Sequence, residues 1–439
     1  MPHSPLRPTR RQFLGTSAAM LAPFAFPTVG RAMANSKVNI ACIGVGGKGA
    51  SDLKEVAVGH NIVALCDVDT DRLETAAKNF KEAKKFQDWR EVFDMKGIDA
   101  VTVSTPDHMH APVTLTALRL KKHCYTQKPL THSIHEARVL TKAAAEAGVV
   151  TQMGTQHHAT KRLKIAVQTI RDGVIGKVSE VHCWTDRPGT FWKQGLERPA
   201  TSDTPPANLN WDMFLGVAPE RPFVAKLYHP FHWRGWWDFG TGALGDMGCH
   251  IMDPVVNALE LGAPTTVKAE GGPLLPESGP TSCKVDYEFP GTKHTTATVK
   301  VTWYEAGAQP PREIFQAPAD WKNDTNGVLF RGEKGNLFVG FPIMPKLFPV
   351  ADFENHKWPE LEDHNHYQEW TSAIANGGKT GCPFSYSGPL TETVLLGNVA
   401  FRAAATINWD SANLKATGLP AADKLIRRQY RKGWEVEGL

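Results

Sequence analysis

The chain has 439 residues, with 49 lysines and arginines against 45 aspartates and glutamates, a net charge of +4. Residues 1–34 hold Arg7, Arg10, Arg11 and Arg31 and no acid, which leaves 45 basic residues against 45 acidic ones in the rest of the chain. That neutrality argues against a nucleic-acid binder, which needs net or clustered basic charge to contact phosphates. A hydrophobic content of 41% with 13 tryptophans excludes a disordered chain.

The N-terminus reads as an address. Thr9-Arg10-Arg11-Gln12-Phe13-Leu14 is a twin-arginine pattern. A mild apolar stretch follows from Leu14 to Val29, and Ala32-Met33-Ala34 is a small-x-small cleavage signal. The expectation is removal after Ala34 by way of the twin-arginine export machinery, giving a periplasmic or otherwise exported protein. Past residue 34 no apolar run is long enough to span a bilayer. The seven cysteines are scattered, with no C-x-x-C pair, and do not form a disulfide framework; a single disulfide is left open.

From Val38 the pattern is strand, glycine turn, helix, strand. Val38 to Ile43 is an apolar run of the kind buried in parallel sheets. Gly44-Val45-Gly46-Gly47-Lys48-Gly49 follows and matches G-x-G-x-x-G. Gly44 allows the tight turn, Gly46 lets the backbone approach a pyrophosphate, and Gly49 permits close helix–strand packing. The helix N-terminus then offers N–H groups and partial positive charge to an anion. Ile62 to Cys66 is the next strand, and Asp67 ends it. A carboxylate there can accept hydrogen bonds from ribose hydroxyls and would repel a 2′-phosphate, so NAD is favoured over NADP. Asp69 and Asp71 read as N-terminal acids of a following helix.

The alternation continues through a strand at Ile98–Ser104, a helix at Ala111–Leu120, a strand at His123–Thr126, a helix at Ser133–Gly148 and a strand at Val149–Met153. Ser133 and Glu136 stand at capping-box spacing. Ligands of such sheets bind at the carboxyl ends of the strands. The polar clusters 104–110, 127–129 and 154–158 fall there. The cofactor-binding candidates are thus Gly44, Val45, Gly46, Gly47, Gly49, Asp67, Ser104, Thr105, Pro106, His110, Gln127 and Lys128, with Gln156 a candidate for substrate.

After about Lys161 the alternation is lost. Lys161–Arg171 reads as a helix and Val178–Thr185 as a strand. The stretch 186–240 is rich in Pro and Trp. Strand-like runs follow at 266–270, 284–289, 296–303, 327–330 and 335–340, and helical patterns return at 367–374 and 390–406. The fold class expected is α/β: a doubly wound parallel Rossmann sheet over 35–160, then an α+β domain over 161–439 with a large open, mostly antiparallel sheet. The helices of about 390–439 are placed to pack back on the first domain. Most of the tryptophans read as core, with Trp233-Arg234 a substrate-facing pair.

The segment Gly242 to Asp253 carries the most chemistry. If it is helical from about Leu244, then Asp246, His250 and Asp253 fall at i, i+4 and i+7 on one face. A histidine between carboxylates is a plausible general base, and equally a buried polar network that pins the helix. The pairs His157-His158, His229/His232 and His364/His366 lack a coherent ligand set with Cys or acids, so no metal is expected.

These ordered motifs resemble the Gfo/Idh/MocA oxidoreductases, the glucose-fructose oxidoreductase and inositol dehydrogenase family. The resemblance runs from about Val38 to Trp434 and rests on the Gly44–Gly49 loop with Asp67, Thr105-Pro106-Asp107-x-x-His110, Lys128-Pro129, Gly242 to His250, and Gly388 to Trp409. It implies NAD(P)-dependent oxidation or reduction of a sugar or polyol carbon, and a large sheet that serves as the interface of a homodimer or homotetramer. By the same resemblance Lys128 is the catalytic lysine. Asp246 is the substrate-binding acid, His250 the proton acceptor, and Thr105 and Pro106 lie beside the nicotinamide ribose. One departure stands out: the family usually has Glu-Lys-Pro where this chain has Gln127-Lys128-Pro129. Two other functions stay open. One is a glycosidase that oxidises a sugar, eliminates the aglycone and reduces the product within one cycle. The other is a non-catalytic sugar- or nucleotide-binding protein.

Overall fold

The computed structural model describes residues 37–341 and 343–439; the twin-arginine pattern and its cleavage site lie outside them. The first domain alternates β1 (Asn39–Ile43), α1 (Lys48–Val56), β2 (Asn61–Cys66), α2 (Thr70–Ala77), β3 (Lys84–Phe86), α3 (Trp89–Phe93), β4 (Ala100–Val103), α4 (His110–Arg119), β5 (His123–Thr126), α5 (Ile134–Ala147) and β6 (Thr151–Met153). The six strands are parallel, in the order β3-β2-β1-β4-β5-β6. The central strands are apolar along their length because helices cover both faces; every residue of β4 is buried. Asp69 caps α2, accepting from the Asp71 N–H at 3.0 Å. Ser133 and Glu136 form the complete capping box of α5.

The second domain adds α6 (Lys161–Arg171), β7 (Val178–Trp184), α7 (Trp211–Leu215), α8 (Gly242–Ile251), α9 (Asp253–Leu259), β8 (Thr266–Gly272), β9 (Ser282–Pro290), β10 (Thr295–Tyr304), β11 (Gly327–Gly332), β12 (Asn336–Gly340), β13 (Lys346–Phe348), α10 (His366–Asn376), α11 (Phe384–Ala403), β14 (Ile407–Asp410), β15 (Lys415–Ala416) and α12 (Pro420–Ile426). Its nine-stranded sheet runs β13-β12-β11-β7-β10-β9-β8-β14-β15. Only β7 and β10 pair in parallel; the other neighbours are antiparallel. Side chains alternate as a one-sided sheet requires. On β9, Cys283, Val285, Tyr287 and Phe289 are buried, while Lys284, Asp286 and Glu288 point outward. The outer face is laced with ion pairs, including Lys284 with Glu270 and Arg331 with Glu180.

Helix α11 joins the two domains. It packs on α5 of the first and on α8 and β8 of the second. Leu390, Val394, Leu396, Val399 and Ala400 are all buried, so the helix is apolar around its circumference, as a central helix must be. It begins at Phe384, earlier than the apolar pattern predicts. Pro389 lies inside it and forfeits a backbone bond near its start.

The predicted helix from Leu244 through Asp253 is broken. α8 ends at Ile251, and Pro254 stands in the first turn of α9. Proline lacks the N–H that would continue α8, and its ring clashes with the carbonyl four residues back. Asp253 therefore leaves the face of Asp246 and His250. Among the described residues all seven cysteines are free and buried, so the disulfide left open by the sequence is not formed.

The Pro- and Trp-rich stretch behaves as a strap. Trp236, Phe239 and Tyr228 are buried with Phe214 and Leu215 in a cluster of their own, and Trp211 stacks on Phe214. The strap docks on the first domain just after β2. Asn208 O accepts from Thr70 N at 2.9 Å, Asn208 Nδ2 donates to Asp69 at 2.8 Å, and Asn210 N donates to Val68 O at 2.9 Å.

Candidate active site

The glycine loop is folded as its sequence requires. Gly44 sits at φ +82°, and a Cβ there would fall 2.6 Å from the backbone of Ser104. A Cβ on Gly49 would lie 1.9 Å from Gly44 O, so α1 can approach β1 only over a glycine. Asp67 braces the loop. Its carboxylate accepts from Val45 N at 2.9 Å and Gly46 N at 3.1 Å, and from Asp69 N at 3.0 Å. Burial raises the Asp67 carboxyl above the usual range, against the pull of those N–H groups and of Arg72.

A cavity of about 520 Å³ opens between this loop and the second domain. Gly44, Gly46, Gly47 and Asp67 line one end, Ser104, Thr105, Pro106 and Gln127 the middle, and Lys128, Trp233, Arg234 and Asp246 the other end. The strap supplies the opposite wall with Met213, Phe214, His229, Pro230 and Phe231.

Five residues singled out from the sequence do not line this cavity, and the structure gives each another setting. Val45 and Gly49 shape the loop from beneath. His110 is buried, its ring nitrogens 2.7 and 2.8 Å from the carbonyls of Pro129 and Thr105, so it ties together the two segments that carry Lys128 and Thr105. Gln156 donates to the Tyr125 hydroxyl at 2.8 Å, turned into the first domain. His250 lies one helical turn beyond Asp246, packed edge-to-face on His157.

The end of the cavity away from the glycine loop is a charged cluster. Lys128 Nζ donates to the Asp246 carboxylate at 2.7 Å and to its main-chain oxygen at 2.6 Å. Arg234 Nε reaches the same carboxylate oxygen at 3.2 Å, and its guanidinium stacks on Trp233 and Phe231. Burial alone would raise the Asp246 carboxyl; Lys128 and Arg234 outweigh it and hold the group well below the usual carboxylate range. His250 moves the other way. Burial, with Lys128 and His157 adding to it, pushes its imidazole well below the usual histidine range against the opposing pull of Asp246. A neutral imidazole with an unpartnered Nδ1 one turn from an ammonium can accept a proton.

Sequence reasoning missed several residues of the site. Lys48 lines the cavity from within the glycine motif, where only the glycines were given roles. Arg72 lies across the loop, its Cδ 2.4 Å from where a Gly46 Cβ would be. Its position five residues past Asp67, at the start of α2, was the available signal. Of the strap, Trp233-Arg234 was expected at the site, whereas Met213, Phe214, Pro230 and Phe231 belong to no motif.

The His157-His158 pair also differs from its expectation. His158 does have an acid and a cysteine beside it. Its Nδ1 lies 2.9 Å from Asp253, and ligand-type atoms of His158, Asp253 and Cys382 lie within 4.8 Å of one another. Asp253 also accepts from the Tyr386 hydroxyl at 2.5 Å, and Cys382 Sγ from Thr155 at 3.0 Å. These groups already satisfy one another and pin α9 to the turn after β6 and to the loop before α11.

A glycine loop that opens a Rossmann helix, a lysine–carboxylate pair across a cavity and a one-sided sheet behind it define a nucleotide-dependent oxidoreductase of two domains. The family model for the oxidoreductase NAD-binding Rossmann fold matches residues 38–155, and that for the C-terminal alpha/beta domain matches residues 160–436. The chain belongs to the Gfo/Idh/MocA oxidoreductase family, and the first domain is its NAD-binding domain. Among curated proteins it is 25% identical over 178 residues to a levoglucosan dehydrogenase of Pseudarthrobacter phenanthrenivorans, covering 40% of this chain and 37% of that one. It is 31% identical over 144 residues to an NAD(+)-dependent scyllo-inositol 2-dehydrogenase of Bacillus subtilis, covering 32% and 42%. The chain thus spans about two-fifths of the length of such relatives. Among solved structures, the WlbA dehydrogenase of Bordetella pertussis in complex with NADH and UDP-GlcNAcA superposes with a TM-score of 0.60 at 16% identity, over 85% of this chain and 99% of that one. A levoglucosan dehydrogenase in complex with NADH and levoglucosan gives 0.58 at 16% identity, over 85% and 98%. These likenesses establish the fold.

Proposed function

We propose that the chain is an exported NAD-dependent oxidoreductase acting on a hydroxyl-bearing carbon of a sugar, polyol or glycoside, with a cofactor it keeps bound. The observation that carries this reading is Lys128 on Asp246 at the end of a cavity that begins at the glycine loop, with a neutral His250 one helical turn behind Asp246. NAD, when bound, takes up or returns the hydride. The residues handle the proton and the geometry. Lys128 donates to the substrate hydroxyl and relays its proton, with Asp246 fixing the ammonium. His250 is the acceptor one turn further on. Arg234, flattened on Trp233 and Phe231, offers donors to further hydroxyls while the rings face the apolar side of a sugar. Asp67 at the end of β2 favours NAD over NADP.

The strap supports retention. It is hydrogen-bonded to the first domain beside Asp67 and walls the cavity, so a nucleotide inside is enclosed on two sides. A retained cofactor must be reoxidised by a second substrate. Alternatively it is regenerated within one cycle, as in a redox-cycling glycosidase. A 31% identity over 123 residues to a glycosyl hydrolase family 109 protein of Stenotrophomonas maltophilia, covering 25% of this chain and 27% of that one, motivates this second reading. Export rests on the twin-arginine pattern of residues 1–34, and assembly into a homodimer or homotetramer on the exposed nine-stranded sheet.

The test is to purify the mature protein, extract its nucleotide, and incubate the enzyme with free sugars, polyols and aryl glycosides. Reduction of cofactor by a free sugar or polyol is the expected result. Aglycone release without net reduction supports the glycosidase, and bound nucleotide with neither outcome favours a binding protein. Lys128→Ala and His250→Ala should each lower turnover by at least a hundredfold while NAD still binds; full activity in both would refute the assignment.

A further inference from the structure

Beneath the cofactor cavity lies a carboxylate with no role so far. Asp52, on α1, has a side chain with no exposure to solvent. Its oxygens accept from four donors: Lys48 Nζ at 2.9 Å, the Tyr367 hydroxyl at 2.7 Å, the Ser104 hydroxyl at 2.8 Å and Gln127 Nε2 at 2.8 Å. Three of those donors, Lys48, Ser104 and Gln127, line the cavity. Of these, the Lys48 ammonium and the Gln127 amide nitrogen can only donate, so Asp52 serves as their common acceptor.

This bears on the one departure from the family pattern. Gln127 stands where the family usually has glutamate. Its amide is not free to turn: Nε2 is held by Asp52, Oε1 faces Lys128 N at 3.3 Å, and a Cβ on Gly154 would lie 2.5 Å from Oε1. A glutamate in this pose would set two buried carboxylates 2.8 Å apart. Like charges that close cannot both ionise. The site therefore has room for one negative charge, and position 52 holds it.

We propose that Asp52 is a positioning residue that supplies the buried negative charge of the cofactor site, acting through Gln127, Ser104 and Lys48, and so takes over the charge that a glutamate at position 127 would carry. The inference rests on the cofactor site proposed above and assigns it a bias. Asp52 balances the Lys48 ammonium on the cavity wall; without it that cation stands unbalanced and disfavours the cationic nicotinamide of NAD+ relative to neutral NADH. Moving the negative charge one hydrogen bond further from Lys128 keeps the bias while leaving the lysine beside a neutral amide.

Binding of NAD+ and NADH to the nucleotide-stripped full mature protein, each measured by titration, tests this without any sugar substrate. Asp52→Asn should raise the ratio of the NAD+ to the NADH dissociation constant on the order of tenfold, the effect of leaving the Lys48 charge unbalanced on the cavity wall. Gln127→Glu should leave the ratio within about threefold at neutral pH, because the two carboxyls share one proton. The double variant D52N/Q127E should return the ratio to within about threefold of the parent by restoring one charge. If D52N binds both nucleotides with the parent ratio, or the double variant behaves as D52N does, the proposal fails. Should D52N not fold, the double variant decides: a folded protein with the parent ratio supports the proposal, and one that does not fold overturns it. A parent protein that binds both nucleotides but oxidises no sugar or polyol would instead count against the proposed activity and leave this inference standing.

Discussion

Asp246 is the residue on which the charged end of the cavity depends. It is 14% exposed and is the shared counter-charge of Lys128 and Arg234. Removing one partner of a buried pair costs about 3–5 kcal/mol because the other charges stay behind. Asp246→Ala should therefore lose stability toward the lower end of that range in urea melts, as well as activity. Two histidines make opposite predictions with pH. His250 titrates well below its usual range, so the folded state binds fewer protons than the unfolded chain. Its contribution is full above the unfolded value near about 6.5 and is lost as pH falls below it. His158 is raised: burial opposes its charge, but Asp253 and Cys382 outweigh burial. Its contribution is full below about 6.5 and is lost as pH rises through the higher folded value. Urea midpoints taken from pH 5 to 9 should show His158→Gln most destabilised on the acid side, converging on the parent at high pH. A constant difference across that range would contradict the His158–Asp253 ion pair.

At the scale of elements, legibility followed local chemistry. Capping depends on residues three apart, so Ser133 and Glu136 could be read directly. Ser133→Ala should cost about 1 kcal/mol, measured as a shift in urea midpoint. Glu136→Ala should cost more, since that carboxylate also accepts from Tyr430 at 2.7 Å and so ties down the C-terminal segment. The glycine loop, Asp67 and the strands around them were legible because each follows from a short pattern with a backbone reason, whereas the role of Lys128 came through the family resemblance. The break after Ile251 was available in Pro254 but was overridden by the attraction of an i, i+4, i+7 face. The partners of His158 come from α9 and from the loop before α11, a separation that no local pattern records. β3, β13 and β15 are two or three residues long and mixed in composition, too short for any period to show.

Across the whole molecule, α11 and the strap decide what holds together. The first and second domains share one apolar core through α11, which takes in Leu140 of α5 and Phe289 of β9 alike. The strap then closes the cavity from outside the sheet. Its anchors at Asn208 are few, and that makes them testable. Asn208→Ala removes the part-buried hydrogen bond to Asp69 and should speed nucleotide release about tenfold, read as loss of bound cofactor on dilution, since a hydrogen bond to a charged group contributes about 1.5–3 kcal/mol. An unchanged release rate would mean that the strap is a wall and not a clasp.

The strap also imposes an order of events. The glycine loop, Asp67 and Lys128 all lie ahead of residue 156, and the strap residues follow from about 206 onward. As the chain grows from its N-terminus, the nucleotide-binding half is complete while the wall that covers it has yet to be made. A nucleotide taken up in that interval is enclosed by the next part of the chain to fold. A finished molecule stripped of its nucleotide reloads with the contacts at Val68, Asp69 and Thr70 already made. For the exported, cofactor-retaining enzyme proposed above, loading would belong to the compartment where the chain is synthesised, ahead of export.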